Sequence, residues 1–479
     1  MNKEDESRHR VDRWRVKPRA SSTNPRVLLC TAYRRFRSDY LDYVGQNVYS
    51  KVRVSLKRTA SPGLRFLKQN VPEIKILEYP MWRDYVAKLK QGWDVVGFSF
   101  FESEIGEVIK MAEEARRQGI KELWAGCYGA LNPVVPKTVD RVFYGAAEDE
   151  VAQVFGKRVK DIEHPVVMWP MTFMPGSIPH FQTGLLYTQH GCPYKCTFCQ
   201  TPIFDTGRET VNLDSIERVL RYYSRIGIND ILILDELFGF NRRHSDKITG
   251  LLARYRMRWW AQSRISIFLH NLETWYERGF RFPLVGVEAM SQRALDTIDK
   301  KQNLEEVTEF IRRTGEKPGM YRMAYYMIGY VNMDAEATWE DAKRLKQAGF
   351  DAHQINVLTP FPKTPLWDEI EQGYGIFDRT YRHYDAKYMV WNHPYISARQ
   401  MHYLRNSVIA YLNKPRQIYG KCFARLVRER LAAEGLRFVW RDLIKTPIAA
   451  ALYDPRKQVY FPRLNHNKDN TPTTRKIII

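Results

Sequence analysis

Three of the six cysteines fall between residues 192 and 199, in the run Cys192-Pro-Tyr-Lys-Cys196-Thr-Phe-Cys199. The other three, Cys30, Cys127 and Cys422, are scattered. A disulfide framework spreads its cysteines and needs an oxidising compartment, so this clustering points to metal. Three thiolates at Cys-x3-Cys-x2-Cys spacing can take three corners of a cubane iron–sulfur cluster. The fourth iron then has no protein ligand, whereas an electron-transfer ferredoxin fills all four positions. A metal with a vacant position is set up to bind something exchangeable. A structural zinc site would need a fourth ligand, for which His190 is near in sequence, but the usual second Cys pair of a zinc module is missing.

The loop follows an apolar run, and such runs recur along the chain. In the N-terminal part, residues 26–33, 73–79, 94–100, 122–130 and 141–146 have the continuous apolar character of buried parallel strands, with a helical pattern at 102–119. This predicts a doubly wound, flavodoxin- or Rossmann-like α/β domain over residues 25–155. A Pro- and Met-rich linker is expected at 156–181. A second series of strands at 185–191, 231–236, 259–264, 283–289, 321–330 and 351–360 alternates with helical patterns such as 213–226 and 335–348. It predicts a (β/α)6 partial TIM barrel over 182–375, with its chemistry at the C-terminal ends of the strands. Residues 376–479 form an aromatic-rich, basic and mostly helical region with an amphipathic helix at 421–434. Residues 1–24 read as a disordered basic leader rather than a signal peptide.

The cysteine loop resembles that of the radical S-adenosylmethionine (SAM) superfamily, in which Cys-x3-Cys-x-aromatic-Cys follows the first barrel strand; Phe198 is the aromatic residue. The resemblance implies a [4Fe-4S] cluster on Cys192, Cys196 and Cys199. SAM would chelate its open iron and be cleaved by one electron to a 5′-deoxyadenosyl radical, with the cofactor carrying the difficult chemistry. It extends to about residue 390. Asp235 and Glu236 end the second strand and look like the family segment that meets the SAM amino group, as suits an ammonium. Gln262 and Arg264 end the third strand, where Arg264 would meet the SAM carboxylate. Glu288, in VGVEAM, is similar to the acid that contacts the ribose, although Ala289 stands where serine is common. Gly329 and Tyr330 end the fifth strand, where glycine lets adenine approach the backbone. VNMDAE follows them in place of the family's proline and Gly-Glu pair. Lys363, in TPFPKTP, replaces a glycine of one subgroup and is a candidate catalytic residue facing the substrate.

Residues 25–155 are similar to the cobalamin-binding domain that precedes the barrel in one large radical SAM subgroup. Arg141–Glu150 resembles an Asp-x-Val-x-x-Gly-Glu segment with its glutamate displaced. No histidine lies between His9 and His164, so the Asp-x-His-x-x-Gly motif that ligates cobalt is absent. The leading expectation is cobalamin-dependent methylation of an unactivated carbon on a hydrophobic or natural-product substrate. The alternative is cobalamin-independent radical cyclisation, rearrangement or C–C coupling. A methylthiotransferase would need three further N-terminal cysteines, and only Cys30 and Cys127 are there.

Lys and Arg number 75 against 54 Asp and Glu, a formal charge of +21. Residues 401–479 contribute 16 against 5, a net of +11. Basic residues there interleave with Phe423, Leu426, Phe438, Val439, Trp440, Leu443 and Ile444. This resembles an interfacial segment and suggests peripheral membrane association and a lipid-like substrate taken from the surface. Nucleic-acid binding or a purely structural role would leave the cysteine loop unexplained. No apolar run approaches the ~20 residues of a membrane span. The sequence therefore reads as a cytoplasmic enzyme, acting on a small molecule and served by an external flavodoxin- or ferredoxin-type donor.

Overall fold

The computed structural model describes residues 24–34, 41–44, 54–56, 60–173, 181–205, 209–440 and 458–464, with residues 444 and 448. The expected leader up to residue 23 and the last residues from 465 lie outside these, as does Leu443 of the expected interfacial segment.

Seven strands belong to the N-terminal part: β1 (Val27–Thr31), β2 (Leu41–Val44), β3 (Val54–Leu56), β4 (Lys75–Leu77), β5 (Val95–Ser99), β6 (Glu122–Gly126) and β7 (Arg141–Val142). Five make one parallel sheet in the order β4-β1-β5-β6-β7. Counted within that sheet the order is 2-1-3-4-5, the doubly wound arrangement of flavodoxin-like folds, whose ligands lie beyond the strand ends where the order reverses. Here that point is between β1 and β5. The strands are apolar on both faces because helices cover both. The helix Ile105–Arg117 turns Ile105, Val108, Met111, Ala112 and Ala115 inward, the 3–4 residue spacing of one helical face. The helix Pro62–Asn70 begins at Ser61, whose hydroxyl accepts from the Leu64 amide, with proline where its missing N–H costs nothing.

The second sheet holds β8 (Met168–Phe173), β9 (Phe181–Leu186), β10 (Asp230–Ile233), β11 (Arg258–Ser263), β12 (Phe280–Glu288), β13 (Met323–Ile328) and β14 (Ala352–Val357). β9 to β14 run parallel, as the second series of apolar runs predicts. Two features differ from expectation. The proline-rich segment is not a plain linker: β8 lies inside it and pairs antiparallel with β9. Polar alternation is weak there because Val166, Val167, Met168 and Trp169 are all buried. The β2–β3 hairpin, which leaves the first sheet's connection after β1, extends the barrel sheet beyond β8. The order is β14-β13-β12-β11-β10-β9-β8-β3-β2, and the sheet curls until β2 approaches β14.

Alternation along the strands fills the barrel. Leu185, Leu232, Trp260, Leu284, Met323 and Ala352, one from each parallel strand, pack inside with Trp169 and Ile418. Their neighbours Leu186, Ile231, Ile233, Trp259 and Ala261 join the outer core beneath the helices. Gly184 has no room for a side chain: a Cβ there would meet the Tyr223 ring and Ile231 at 2.8 Å. Ile418 shows that the C-terminal region plugs the bottom of the barrel. That region holds the helix Ala398–Leu412, a π-helical stretch Arg416–Phe423 and the helix Ala424–Glu434. Among the described residues no helix is long and apolar enough to cross a membrane.

Residues 458–464 return to the junction of the two sheets. Glu163 is fully buried there and accepts from Arg218 at 2.8 Å, from Arg463 at 3.4 Å and from the Leu464 amide at 2.8 Å. Removing one partner of a buried ion pair strands the other charges at a cost of about 3–5 kcal/mol. Glu163→Ala should lower the thermal midpoint accordingly and open 458–464 to protease; calorimetry with limited proteolysis checks both, and an unchanged midpoint would refute the anchoring.

Candidate active site at the facing strand ends

The three cysteines sit on the loop after β9, where Gly191 takes a left-handed φ of 81° that starts the turn. Each thiol is half-buried. Burial pushes the Cys192 thiol up to about 11, with Cys199 and Cys196 close enough to add to the effect. Burial raises Cys199 as well. The described residues contain no group of three His, Cys, Asp or Glu able to hold a single metal ion. The loop is tied on three sides. The Thr197 amide donates to the Ile298 carbonyl and its own carbonyl accepts from the Leu366 amide. Gln200 Nε2 donates to the Pro362 carbonyl and to Glu102 of the N-terminal domain. Beside Cys192 opens a cavity of about 550 Å³, lined also by Gln189, His190, Lys195, Phe240 and Arg242.

The sequence-predicted residues divide into those that face this mouth and those that hold it. Glu236 lies within electrostatic reach of Cys192: its Oε1 accepts from the Tyr128 hydroxyl at 3.4 Å, while its buried Oε2 has no hydrogen-bond partner. Burial raises its carboxyl against the lowering effect of His190. Asp235 is fully buried and turned inward, accepting from the Thr188 amide and hydroxyl, both at 2.6 Å; burial pushes it up to about 7. Gln262 donates to the Asp235 carbonyl at 3.0 Å. These two lock the ends of β9, β10 and β11 together. Arg264 lies 4.0 Å over the Tyr194 ring inside the cysteine loop and donates to the Lys301 carbonyl. Glu288 has a left-handed φ of 64°, rare for a side chain that is not glycine, and its carboxylate pairs with Lys300 at 3.0 Å. Tyr330 is buried, its hydroxyl donating to the Glu288 carbonyl, and Gly329 packs against the methyl groups of Met389 and Met401. Lys363 lies at the domain boundary within electrostatic reach of Glu102, with its ammonium 5.5 Å over Tyr144 and a φ of 66°.

Sequence reasoning missed four participants. Tyr128, in the turn Gly126-Cys127-Tyr128-Gly129 after β6, reaches across the domain boundary to Thr201 at 3.2 Å and to Glu236. Its ring meets Phe204 at 4.7 Å. Glu102, just past the end of β5, accepts from Asn132 at 2.8 Å and from Gln200. Glu148 and His190 complete a buried polar group with Glu236. Glu148 Oε2 and His190 Nε2 have no partner. Burial opposes the charge on His190, yet Glu236, Glu148, Asp205 and Asp235 hold its pKa above the usual range. His190, two residues before Cys192, stands out in the sequence only as a possible fourth zinc ligand. Lys300 had no signal at all. The C-terminal ends of β5, β6 and β7 therefore face the C-terminal ends of the barrel strands.

Residues 186–328 match the radical SAM superfamily family model. The barrel is a radical SAM domain. Such a domain implies a [4Fe-4S] cluster and SAM, and the donor set suits them: three half-buried thiols on one loop, and a buried Glu236 oxygen without a hydrogen-bond partner within electrostatic reach of Cys192. Over much of its length the chain resembles, in fold, the radical SAM methyltransferase TsrM from Kitasatospora setae, solved with cobalamin and a [4Fe-4S] cluster bound. The TM-score is 0.55 at 16% identity, over 73% of this chain and 78% of that one. An uncharacterized methyltransferase of Pyrococcus horikoshii is 25% identical over 50% of this chain and 53% of its own length. The bacteriochlorophyllide d C-12(1)-methyltransferase of Chlorobaculum tepidum is 20% identical over 74% of this chain and 81% of its own. The chain thus spans about half of the first relative and most of the second. The N-terminal domain has the 2-1-3-4-5 strand order and offers no histidine as a cobalt ligand between His9 and His164. The first histidine after it, His164, is buried and has both ring nitrogens engaged, with Pro165 and Tyr187.

Burial pushes the Glu102 carboxyl up to about 7, against the hydrogen bonds from Asn132 and Gln200. An acid with a raised folded pKa holds its proton better in the folded state than in the unfolded one. Its contribution is therefore fullest below the unfolded value of about 4.5 and declines as pH rises toward about 7. A shift of this size corresponds to up to about 3 kcal/mol. Glu102→Gln should flatten that decline, which urea-unfolding midpoints of both proteins across this pH range will test. Parallel curves would refute it.

Proposed function

We propose that this chain is a cobalamin-dependent radical SAM methyltransferase that places a methyl group on a carbon of a hydrophobic small molecule. The observation that carries the reading is the facing of the two sets of strand ends across one buried polar interface. A corrinoid beyond β1 and β5 would then confront a SAM site at the barrel mouth. When bound, the cluster and SAM supply a 5′-deoxyadenosyl radical and the corrinoid supplies a transferable methyl group.

Cys192, Cys196 and Cys199 would hold three irons. Glu236 would receive the SAM ammonium on its unpartnered oxygen, and Glu288, held by Lys300, would take the ribose hydroxyls. Asp235 and Gln262 act through the backbone they fix, and Arg264 acts through Tyr194. Gly329 and Tyr330 shape the wall where adenine would lie. Lys363 would meet substrate at the boundary between the two domains. Tyr128, Tyr144 and Phe204 exclude water from the interface, which keeps a reactive carbon radical from side reactions. The reading needs an external one-electron donor of flavodoxin or ferredoxin type.

Anaerobic reconstitution with iron, sulfide and hydroxocobalamin should give a cluster and roughly stoichiometric cobalt, and Cys192→Ala should lose the cluster. Turnover should release S-adenosylhomocysteine together with 5′-deoxyadenosine. Deoxyadenosine alone, without retained corrinoid, would move the assignment to radical cyclisation, rearrangement or C–C coupling. Glu236→Gln should weaken SAM binding roughly 10- to 100-fold, the value of a charge-assisted hydrogen bond; equal affinities by calorimetry would remove Glu236 from the site.

A further inference from the structure

Several large apolar side chains of the C-terminal region stand in solvent. Leu431 is 45% exposed, Leu436 82%, Trp440 63%, Ile444 41% and Ile448 56%. The last four are spaced by four residues, and Arg437, Arg441 and Lys445 each follow one of the first three. In sequence, a helix with that spacing would carry an apolar row beside a basic row; the described helix is Leu436–Phe438. Phe438, expected from sequence to belong to the apolar face, is instead buried at 3% exposure and anchors the segment.

We propose that this stripe docks the protein on an anionic lipid surface. Apolar residues at the acyl boundary, a tryptophan at headgroup level and basic side chains reaching the phosphates match the chemistry of such a surface. The region's net charge of +11 complements anionic lipid and opposes pairing with a second copy of itself. Each basic residue near an anionic leaflet strengthens binding about fivefold.

The docking face lies opposite the cysteine loop. The helix Ala424–Glu434 is fixed to the N-terminal ends of β13 and β14: Arg425 donates to the Met320 carbonyl at 2.9 Å and to Asp351 at 3.0 Å, and Glu429 accepts from the Gly319 amide. The barrel mouth is at the other end of the same strands, about 20 Å away at roughly 3.3 Å per residue. The surface therefore tethers the protein with its mouth turned toward the aqueous side. It does not feed lipid directly into the mouth, which revises the expectation of a substrate drawn from the membrane by this segment.

The test is flotation of the reconstituted full chain with vesicles of roughly 3:1 phosphatidylcholine to phosphatidylglycerol and with phosphatidylcholine alone. Binding should be at least about tenfold stronger on the anionic vesicles and fall with salt. Trp440→Glu with Leu436→Glu should lose it by a similar factor, with SAM affinity and melting temperature unchanged, because both side chains are exposed. Arg437→Glu with Arg441→Glu should abolish the anionic preference. SAM should bind equally well with and without vesicles. Equal partition onto neutral vesicles or none at all, self-association that the same substitutions abolish, or retention only by an acidic protein or nucleic acid would overturn the proposal. Loss of SAM binding on vesicles would overturn the orientation. Vesicle binding needs no radical chemistry, so its failure leaves the methyltransferase reading untouched, and the reverse holds too.

Discussion

Burying a carboxylate costs free energy unless hydrogen bonds or cations replace its water, and the boundary between the two sheets buries several. Glu102 and Glu148 are 2% and 5% exposed. Glu102 is satisfied by two amide side chains from two different domains, and this bridge sets the distance between them. Tyr128 makes a second bridge, to Thr201 and Glu236. The unpartnered oxygens of Glu148 and Glu236 and the ring nitrogen of His190 remain the expensive part. Buried polar atoms without partners are uncommon in native proteins, and these three gather beside the cysteine loop. Left-handed backbone at Cys127, Glu288 and Lys363, at the ends of β6, β12 and β14, concentrates strain around the same boundary.

Much of this was legible in the sequence, for identifiable reasons. The parallel strands announced themselves because they are buried on both faces and so are apolar without alternation. The helix at Ala335–Ala348 was legible because Asp334 caps it and Gly349 ends it. The cysteine loop was legible because its chemistry requires fixed spacing. What the sequence concealed depends on partners distant along the chain. Asp235 ends a strand exactly as a ligand-facing acid would, yet Thr188 turns it inward. Glu288 meets Lys300 only because the backbone bends at a bulge beside Gly286. The strand β8 was hidden by Pro170, a residue seldom found inside a strand that is paired on both sides, as β8 is with β9 and β3. Phe438 and Trp440 look alike in an amphipathic pattern, and only packing separates the anchor from the exposed face.

The β2–β3 hairpin carries a consequence for how the chain reaches its native state. The polypeptide makes the first strand of one sheet, crosses to become the outermost pair of the other, and then returns to complete the first. Neither unit can finish without the other: β3 pairs locally with β2, but its second ladder partner, β8, comes more than a hundred residues later. Such a stitch trades folding speed for permanence, because the long loop must close before its contacts reward it. A barrel expressed alone would present β8 as a bare edge open to intermolecular pairing. The two units are laced into one body, so opening of the mouth must come from loops and side chains rather than from parting of the domains.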